Sequence, residues 1–314
     1  MLHVAFSPDG QTLVSASEDG TLKLWHRDGS FLKTLAKQQS EFLDVDFSPD
    51  GNTIAAISRD NFIRLWKLDD MALKPIETHR TDIARIAFSP DGQLLASTSI
   101  DRSVKLWKLD GTLVKVLAET DTPGIGVAFS PDGKRVVVGS VNGTIKVWQI
   151  DGKLQTSFTA HRDAIAQVAF SPDGQTLASA SRDKTVKLWQ LDGTLLRTFS
   201  GHRTDVWSIA FSPDGQTLAS ASDKGIVKFW RLKHPLLTVL AGHGDEVRRV
   251  AFSPDSQTIA SASRDETIGL WNADGRRYQI LSLDELKFAC NWVQDYLRTN
   301  AVLEERDRKL CNGL

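Results

Sequence analysis

A repeat of 41 residues runs through most of the chain and limits its possible folds more than any other feature. Seven tryptophans and seven phenylalanines follow this period without interruption. The tryptophans are Trp25, Trp66, Trp107, Trp148, Trp189, Trp230 and Trp271, and the phenylalanines are Phe6, Phe47, Phe88, Phe129, Phe170, Phe211 and Phe252. Because no insertion or deletion breaks the spacing, we expect every unit to form the same structure with the same loop lengths.

Each unit contains four short segments with strand character. In residues 161–202, an apolar run (IAQVAF) is followed by an SPDG turn, the alternating segment TLASAS, an SRD turn, the segment TVKLW, an LDG turn and TLLRTF. Four such antiparallel strands make one blade of a β-propeller, whose apolar faces are buried only when blades pack around an axis. We therefore predict an all-β fold, a seven-bladed β-propeller of four-stranded antiparallel blades, over residues 1–282.

A glycine–histidine pair, followed later in the unit by LASxSxDxTxKLW, returns in register across these residues, and this pattern resembles the WD-repeat family of β-propellers. The resemblance implies a non-enzymatic platform that binds a protein or peptide partner and needs no cofactor. In one departure from the family pattern, the aspartate expected after each tryptophan is replaced. The replacing residues are His26, Lys67, Lys108, Gln149, Gln190, Arg231 and Asn272.

The family motif also implies a hydrogen-bonded tetrad of histidine, serine, aspartate and tryptophan in each blade. Three blades carry complete sets: His79, Ser97, Asp101 and Trp107; His161, Ser179, Asp183 and Trp189; and His243, Ser261, Asp265 and Trp271. We assign the first serine of each SxS pair, while Ser99, Ser181 and Ser263 remain alternatives. Since the histidines occur once per blade, they are too far apart to share a metal ion, and we predict a structural role with no catalytic residue and no metal.

Other blades lack members of the tetrad. Blade 1 has no matching histidine, and in blade 6 Lys224 occupies the aspartate position while Asp223 comes one residue early. The substituted positions in blades 2 and 4 are Gln38, Ala56, Thr120, Val138 and Asn142.

Two positions that differ from blade to blade mark the expected partner-binding rim, on the face formed by the SRD turns and the histidine loops. One lies four residues before each repeated phenylalanine, and the other lies just before the tetrad aspartate. We predict that this rim has an apolar sector, formed by Ile100, Ile125 and Val141, and arginines at other positions. Arginine and tryptophan are typical anchors of interfaces. The predicted contact residues are Leu43, Arg59, Ile100, Ile125, Val141, Arg182, Trp207, Arg248 and Arg264. Trp207 has an alternative interpretation as one more packing aromatic.

Composition limits what the protein is expected to bind and where it is expected to occur. A formal net charge of −1 argues against nucleic-acid binding, and no apolar run is long enough to cross a membrane. The only cysteines, Cys290 and Cys311, lie near the end of the chain, so no disulfide framework is expected in the repeats. We expect a monomer in the cytoplasm.

The two ends of the repeat region suggest how the ring closes. The chain begins at the first strand of blade 1, and RRYQILS supplies a fourth strand to blade 7, so we predict closure without strand exchange and a seam held by side-chain packing alone. A chain cut from a longer protein is the alternative.

Residues 283–314 are predicted to form a separate C-terminal helical tail. A capping box at Ser282 and Glu285 precedes a helical apolar face, and VLEERDRKL reads as a second helix. This tail resembles the ends of bacterial, chiefly cyanobacterial, WD-repeat proteins that are often fused to signalling nucleotidases, which implies a sensor role. The alternative is a helical cover over an exposed blade edge.

Two other function classes compete with the interaction platform. A propeller enzyme would need convergent carboxylates, a nucleophile with its base, or metal ligands in the axial channel, and we expect no such set. A purely structural, consensus-like ring would show rim residues scattered without forming a patch.

Overall fold

Seven four-stranded antiparallel sheets make up the computed structural model, which describes residues 1–69, 73–77, 79, 81–119, 121–233, 237–272 and 277–282. Each sheet pairs four strands that are consecutive in the chain, so the sheets are blades 1 to 7 in chain order. This confirms the predicted fold class. The predicted helical tail and Thr120 lie outside the described residues.

The first strand of every blade lies innermost, since each contacts the first strand of the next blade and β25 contacts β1. These strands are β1 His3–Phe6, β5 Phe42–Phe47, β9 Ile83–Phe88, β13 Gly124–Phe129, β17 Ile165–Phe170, β21 Val206–Phe211 and β25 Val247–Phe252. The second strands are β2 Thr12–Ala16, β6 Thr53–Ser58, β10 Leu94–Ser99, β14 Arg135–Ser140, β18 Thr176–Ser181, β22 Thr217–Ser222 and β26 Thr258–Ser263.

The third and fourth strands follow outward, and the fourth forms the exposed edge of the blade. The third strands are β3 Thr21–His26, β7 Phe62–Lys67, β11 Ser103–Lys108, β15 Thr144–Gln149, β19 Val186–Gln190, β23 Ile226–Arg231 and β27 Thr267–Asn272. The fourth strands are β4 Phe31–Lys37, β8 Leu73–Glu77, β12 Leu113–Glu119, β16 Leu154–Thr159, β20 Leu195–Phe199, β24 Leu237–Ala241 and β28 Arg277–Ser282.

Hydrogen bonds within the SPDG turn explain why this sequence recurs from blade to blade. In blade 1, Ser7 Oγ donates to Asp9 Oδ1 at 2.5 Å, and the same oxygen accepts from the backbone N–H of Gln11 at 3.0 Å. The hydrogen bond from Ser7 lowers the pKa of Asp9. Gly10 has a φ of +68°, a left-handed conformation that favours glycine. The turn is therefore fixed locally and needs no contact from elsewhere in the ring.

The core consists of separate apolar clusters, each shared by two neighbouring blades. Trp66 of blade 2 packs with Val14 and Leu24 of blade 1, and Trp25 of blade 1 packs with Ala260 and Leu270 of blade 7. Burying a large apolar side chain stabilises the fold by roughly 1.5–3 kcal/mol. Since each tryptophan is buried only when the adjacent blade is present, the ring and its blades are stabilised together.

The seam between blades 7 and 1 shares no strand, because β28 ends the sheet of blade 7 and β1 begins that of blade 1. This confirms closure without strand exchange. The expectation that side-chain packing alone holds the seam is wrong. The α-amino group of Met1 donates to the carbonyl oxygen of Ser263 at 2.9 Å, and Arg27 forms an ion pair with Asp255 at 2.6 Å. These bonds form because closure of the ring brings polar groups of complementary character together on either side of the seam.

Candidate functional site

The tetrad of blade 5 lies between the outer loop and the core of the blade. Trp189 Nε1 donates to Ser179 Oγ at 2.9 Å, and Ser179 Oγ lies 2.7 Å from His161 Nε2. His161 Nδ1 lies 2.8 Å from Asp183 Oδ2. Burial lowers the pKa of His161 to about 4, so the imidazole is neutral at pH 7. Burial would raise the pKa of Asp183, but hydrogen bonds from Thr185 and the interaction with His161 lower it.

Blades 3 and 7 contain the same geometry. Ser97 Oγ lies 2.7 Å from His79 Nε2 and accepts from Trp107 at 2.8 Å, and His79 Nδ1 lies 3.2 Å from Asp101. The corresponding distances in blade 7, for Ser261, His243, Trp271 and Asp265, are 2.7, 2.8 and 3.1 Å. In all three tetrads the first serine of the SxS pair makes these bonds.

Blade 6 retains a tetrad-like network without its carboxylate. His202 Nε2 contacts Ser220 Oγ at 2.7 Å, and His202 Nδ1 contacts Ser222 Oγ at 2.9 Å, where blades 3, 5 and 7 use aspartate. Burial, followed by the charge of Lys228, lowers the pKa of His202 to about 3. Asp223 instead accepts a hydrogen bond from Trp207 Nε1 at 2.5 Å.

The variable face is our name for the surface formed by the turns between second and third strands and by the loops between blades. Its most organised feature is the half-buried Trp207, whose ring is contacted by two guanidinium groups. Arg248 stacks over the indole at 4.0 Å and Arg182 at 4.9 Å from its centroid. Arg248 also forms an ion pair with Glu246. The indole is therefore held in place at the surface, and its contact with a partner stays a prediction.

An apolar sector lies on the same face in the adjacent blades 3 and 4. Ile100 is 54% exposed and Val141 is 37% exposed. Ile125 is half-buried, and its carbonyl oxygen accepts a hydrogen bond from Thr98 of blade 3 at 3.4 Å. Exposed aliphatic side chains in neighbouring turns give this sector the apolar character that a partner surface needs.

The remaining predicted contact residues are already engaged within the chain. Arg59 pairs with Glu41 at 2.9 Å, and Arg264 pairs with Glu18 at 3.0 Å across the seam. Leu43 packs partly buried against the core shared by blades 2 and 3. Among the described residues no ion pair involves Arg182, which distinguishes it from the other three arginines.

Sequence reasoning missed a second set of variable residues, one per blade, on the innermost strands. They are His3, Asp44, Arg85, Gly126, Gln167, Ser208 and Arg249. Three of these side chains accept a hydrogen bond from the innermost strand of the following blade, Asp44 Oδ2 from Ile86 N–H among them at 3.0 Å. These residues therefore line the axis where the blades meet.

Five ionisable side chains at the axis form what we call the channel cluster: His3, Asp44, Asp46, Arg85 and Arg249. His3 Nε2 lies 2.6 Å from Asp44 Oδ1, and both side chains are almost fully buried. Asp46 occupies a position where the six other blades have alanine: Ala5, Ala87, Ala128, Ala169, Ala210 and Ala251. Asp44 and Asp46 are therefore two carboxylates of one innermost strand, a pair that the sequence analysis did not identify.

Burial and mutual charge set the protonation of the channel cluster. Burial lowers the pKa of His3 to about 4, and the charge of Arg249 acts in the same direction. Burial raises the pKa of Asp46 to about 7. Burial alone would also raise the pKa of Asp44, but its charge interaction and hydrogen bond with His3 lower it. Near pH 7, Asp44 is thus charged, His3 is neutral, and Asp46 titrates.

One signal in the sequence could have identified the cluster. The missed residues lie three positions before each repeated phenylalanine, next to the variable position that was used to predict the rim. Charged residues in a strand that is otherwise apolar are unusual unless they are paired or face water.

Metal sites and membrane spans are two further features that bear on function. Among the described residues, no group of three or more histidine, cysteine, aspartate or glutamate side chains could hold a metal ion. No helix in the same part of the chain combines the length and apolar character that crossing a membrane requires.

Comparison with known proteins agrees with this geometry. The family model described as "WD domain, G-beta repeat" matches residues 2–26, 29–67, 72–108, 111–149, 152–190, 193–231 and 234–272. A stretch of 33 residues is 64% identical to Ribosome assembly protein 4 of Saccharomyces cerevisiae (strain ATCC 204508 / S288c). That stretch covers 10% of this chain and 6% of the relative, so the likeness extends over less than one 41-residue unit.

Proposed function

Because the chain belongs to the WD domain, G-beta repeat family, we propose that it is a protein-interaction platform that holds a protein or peptide partner on the variable face. The observation that carries this proposal is the arrangement around Trp207, where two guanidinium groups contact one aromatic ring. Tryptophan and arginine contribute most to binding when they are held rigidly and lose little conformational entropy.

The two sectors of the variable face suggest the chemistry of the partner. Arg182 has no carboxylate partner among the described residues, so an acidic group of the partner would pair with it. Ile100 and Val141 would bind aliphatic side chains of the same partner, because they are exposed in neighbouring blades. A peptide that carries both kinds of residue fits this face best.

The comparisons and the composition also bear on the partner and on the location of the protein. The short likeness to a ribosome assembly protein covers too little of that protein to identify a partner for this chain. A sensor role within a bacterial signalling protein depends on residues 283–314, which lie outside the described residues. A cytoplasmic location, a monomeric state and the absence of nucleic-acid and membrane binding stay predictions from composition.

Affinity capture with matched variants tests the platform. A variant with Arg59, Arg182, Trp207 and Arg248 all changed to alanine should keep the fold, measured by circular dichroism, and lose its partner. The control changes Lys33, Lys67, Lys153 and Arg231 to alanine, which removes positive charge away from the variable face.

The decisive result is a protein that wild type and control both capture and the rim variant does not, identified by mass spectrometry and then tested as a purified protein. Equal capture by all three proteins would remove the variable face from consideration.

A further inference from the structure

The channel cluster contains more positive charge than its own carboxylates neutralise. Among the described residues, neither Arg85 nor Arg249 has a carboxylate oxygen within 4.0 Å. The Nε atoms of both arginines are buried and have no hydrogen-bond partner there. The two side chains are half-buried, and a buried N–H donor without a partner is costly, so this arrangement calls for an acceptor.

Arg85 and Arg249 come from blades 3 and 7, which are not neighbours in the ring, yet they act on the same groups. The charges of both lower the pKa of His3, and both act on Asp44. The charge of Arg85 also acts on Arg249. Both guanidinium groups therefore lie near the His3–Asp44 pair, although they come from blades that are not neighbours.

The carboxylates of the cluster do not fill the role of the missing acceptor. Asp44 Oδ1 accepts from the N–H of Val45 at 3.0 Å and contacts His3, while Asp44 Oδ2 accepts from the N–H of Ile86. Asp46 accepts from the N–H of Phe47 at 3.0 Å, and burial keeps it partly protonated near neutral pH. Near neutral pH the two guanidinium groups therefore carry more charge than Asp44 and the partly protonated Asp46 together.

We propose that the axial channel binds one small oxyanion between Arg85 and Arg249. Guanidinium groups match carboxylate and phosphate oxygens in geometry and remain charged when desolvated. The oxyanion is either a free ion or the carboxylate or phosphate group of a larger ligand that enters the channel. This site is separate from the variable face, and it does not depend on the function proposed for that face.

Isothermal titration calorimetry and thermal denaturation of the full chain test the site with inorganic phosphate, sulfate and acetate, at constant ionic strength set with sodium chloride. We expect saturable binding of one anion per chain and a rise in melting temperature with its concentration. Preference for phosphate and sulfate would indicate a tetrahedral ion, and preference for acetate would indicate a carboxylate.

Arg249→Gln and Arg85→Gln should each weaken binding about tenfold or more, the loss expected for a charge-assisted hydrogen bond. Arg231→Gln is the matched control, since it removes one exposed arginine outside the channel and should bind as wild type does. If an arginine variant fails to fold, Asp46→Ala provides the test. This change introduces the alanine that the other six blades have at the same position. The variant should bind the anion more tightly than wild type at pH 8, where Asp46 is charged.

Three results would overturn the proposal. They are the absence of saturable binding, equal affinity of the channel variants and wild type, and an equal loss in Arg231→Gln, which would indicate a general effect of charge.

Discussion

At the scale of single residues, the tetrad serine is the most sensitive position, because one hydroxyl serves two buried rings. Ser179→Ala would leave His161 Nε2 and Trp189 Nε1 without a partner. Each unsatisfied group costs about 1–3 kcal/mol, so we expect a clear fall in the free energy of unfolding. Urea denaturation followed by tryptophan fluorescence measures it.

The matched control for this change is Ser157→Ala in β16, where the serine is exposed. We expect an effect within about 0.5 kcal/mol for such a surface position. Equal effects of the two substitutions would mean that the tetrad does not stabilise the blade.

At the scale of elements, the joints between blades differ in one respect. Six joints have a covalent connection between the fourth strand of one blade and the first of the next, and the seam between blades 7 and 1 has none. Leu13 and Leu95 occupy the same position in the repeat, but Leu13 packs in the seam and Leu95 packs between blades 2 and 3. This pair separates the effect of packing from that of connectivity.

Leu13→Ala and Leu95→Ala should each destabilise the protein by about 2–5 kcal/mol, as expected for a cavity in a core. We expect Leu13→Ala also to speed local opening, because no connecting chain holds the two blades of the seam together. Limited proteolysis under native conditions measures this, with faster cleavage of Leu13→Ala as the expected result. Identical cleavage rates would show that the bonds made by Met1 and Arg27 hold the seam as firmly as a connecting chain.

Which elements form, and where, could be predicted from the sequence because each strand and turn is specified locally. The SPDG turn illustrates this, since Ser7, Asp9 and Gly10 satisfy one another's geometry inside a single turn. The bonds across the seam could not be predicted, because Arg27 and Asp255 are distant in the chain and meet only when the ring closes.

At the scale of the whole molecule, the channel cluster was missed for a related reason. The role of a charged residue in an apolar strand cannot be predicted until the strands that face it are known. Arg85 and Arg249 come from blades that are not adjacent, so the repeat does not show that they lie near the same groups. The tetrad partners, in contrast, could be assigned because the family motif implies them and places them within one unit of the repeat. The partner contacts of the variable face stay a prediction.

The pH dependence of stability is also a property of the whole ring, because buried histidines occur in several blades. Burial lowers the pKa of His3, His79 and His161 to about 4 and that of His202 to about 3. Unfolded histidine titrates near pH 6.5, so the unfolded state takes up protons first on acidification. The stability that these residues contribute is present above pH 6.5 and is lost as the pH falls toward 4.

Asp46 has the opposite effect. Its pKa is raised to about 7 from an ordinary 3.8, so its contribution is present at low pH and is lost as the pH rises through 7. The four histidines have a larger combined effect on stability than the one carboxylate. We therefore expect the urea concentration at the unfolding midpoint to decrease as the pH is lowered from 6.5 to 4. Asp46→Ala should make this fall steeper and should raise stability at pH 8. A wild-type midpoint that stays constant from pH 6.5 to 4 would contradict a neutral, buried state of the four histidines.

Because every blade completes its own sheet, the fold does not depend on which blade boundary lacks a covalent connection. A circularly permuted gene that joins residue 282 to residue 1 through a short linker and starts at another blade boundary would keep the 28 strands of the described residues paired as they are. It would replace the bond made by the Met1 α-amino group with a covalent link. The same independence means that blades could be exchanged as whole cassettes, and that a new binding surface could be assembled by shuffling turns while the β-structure beneath them stays unchanged.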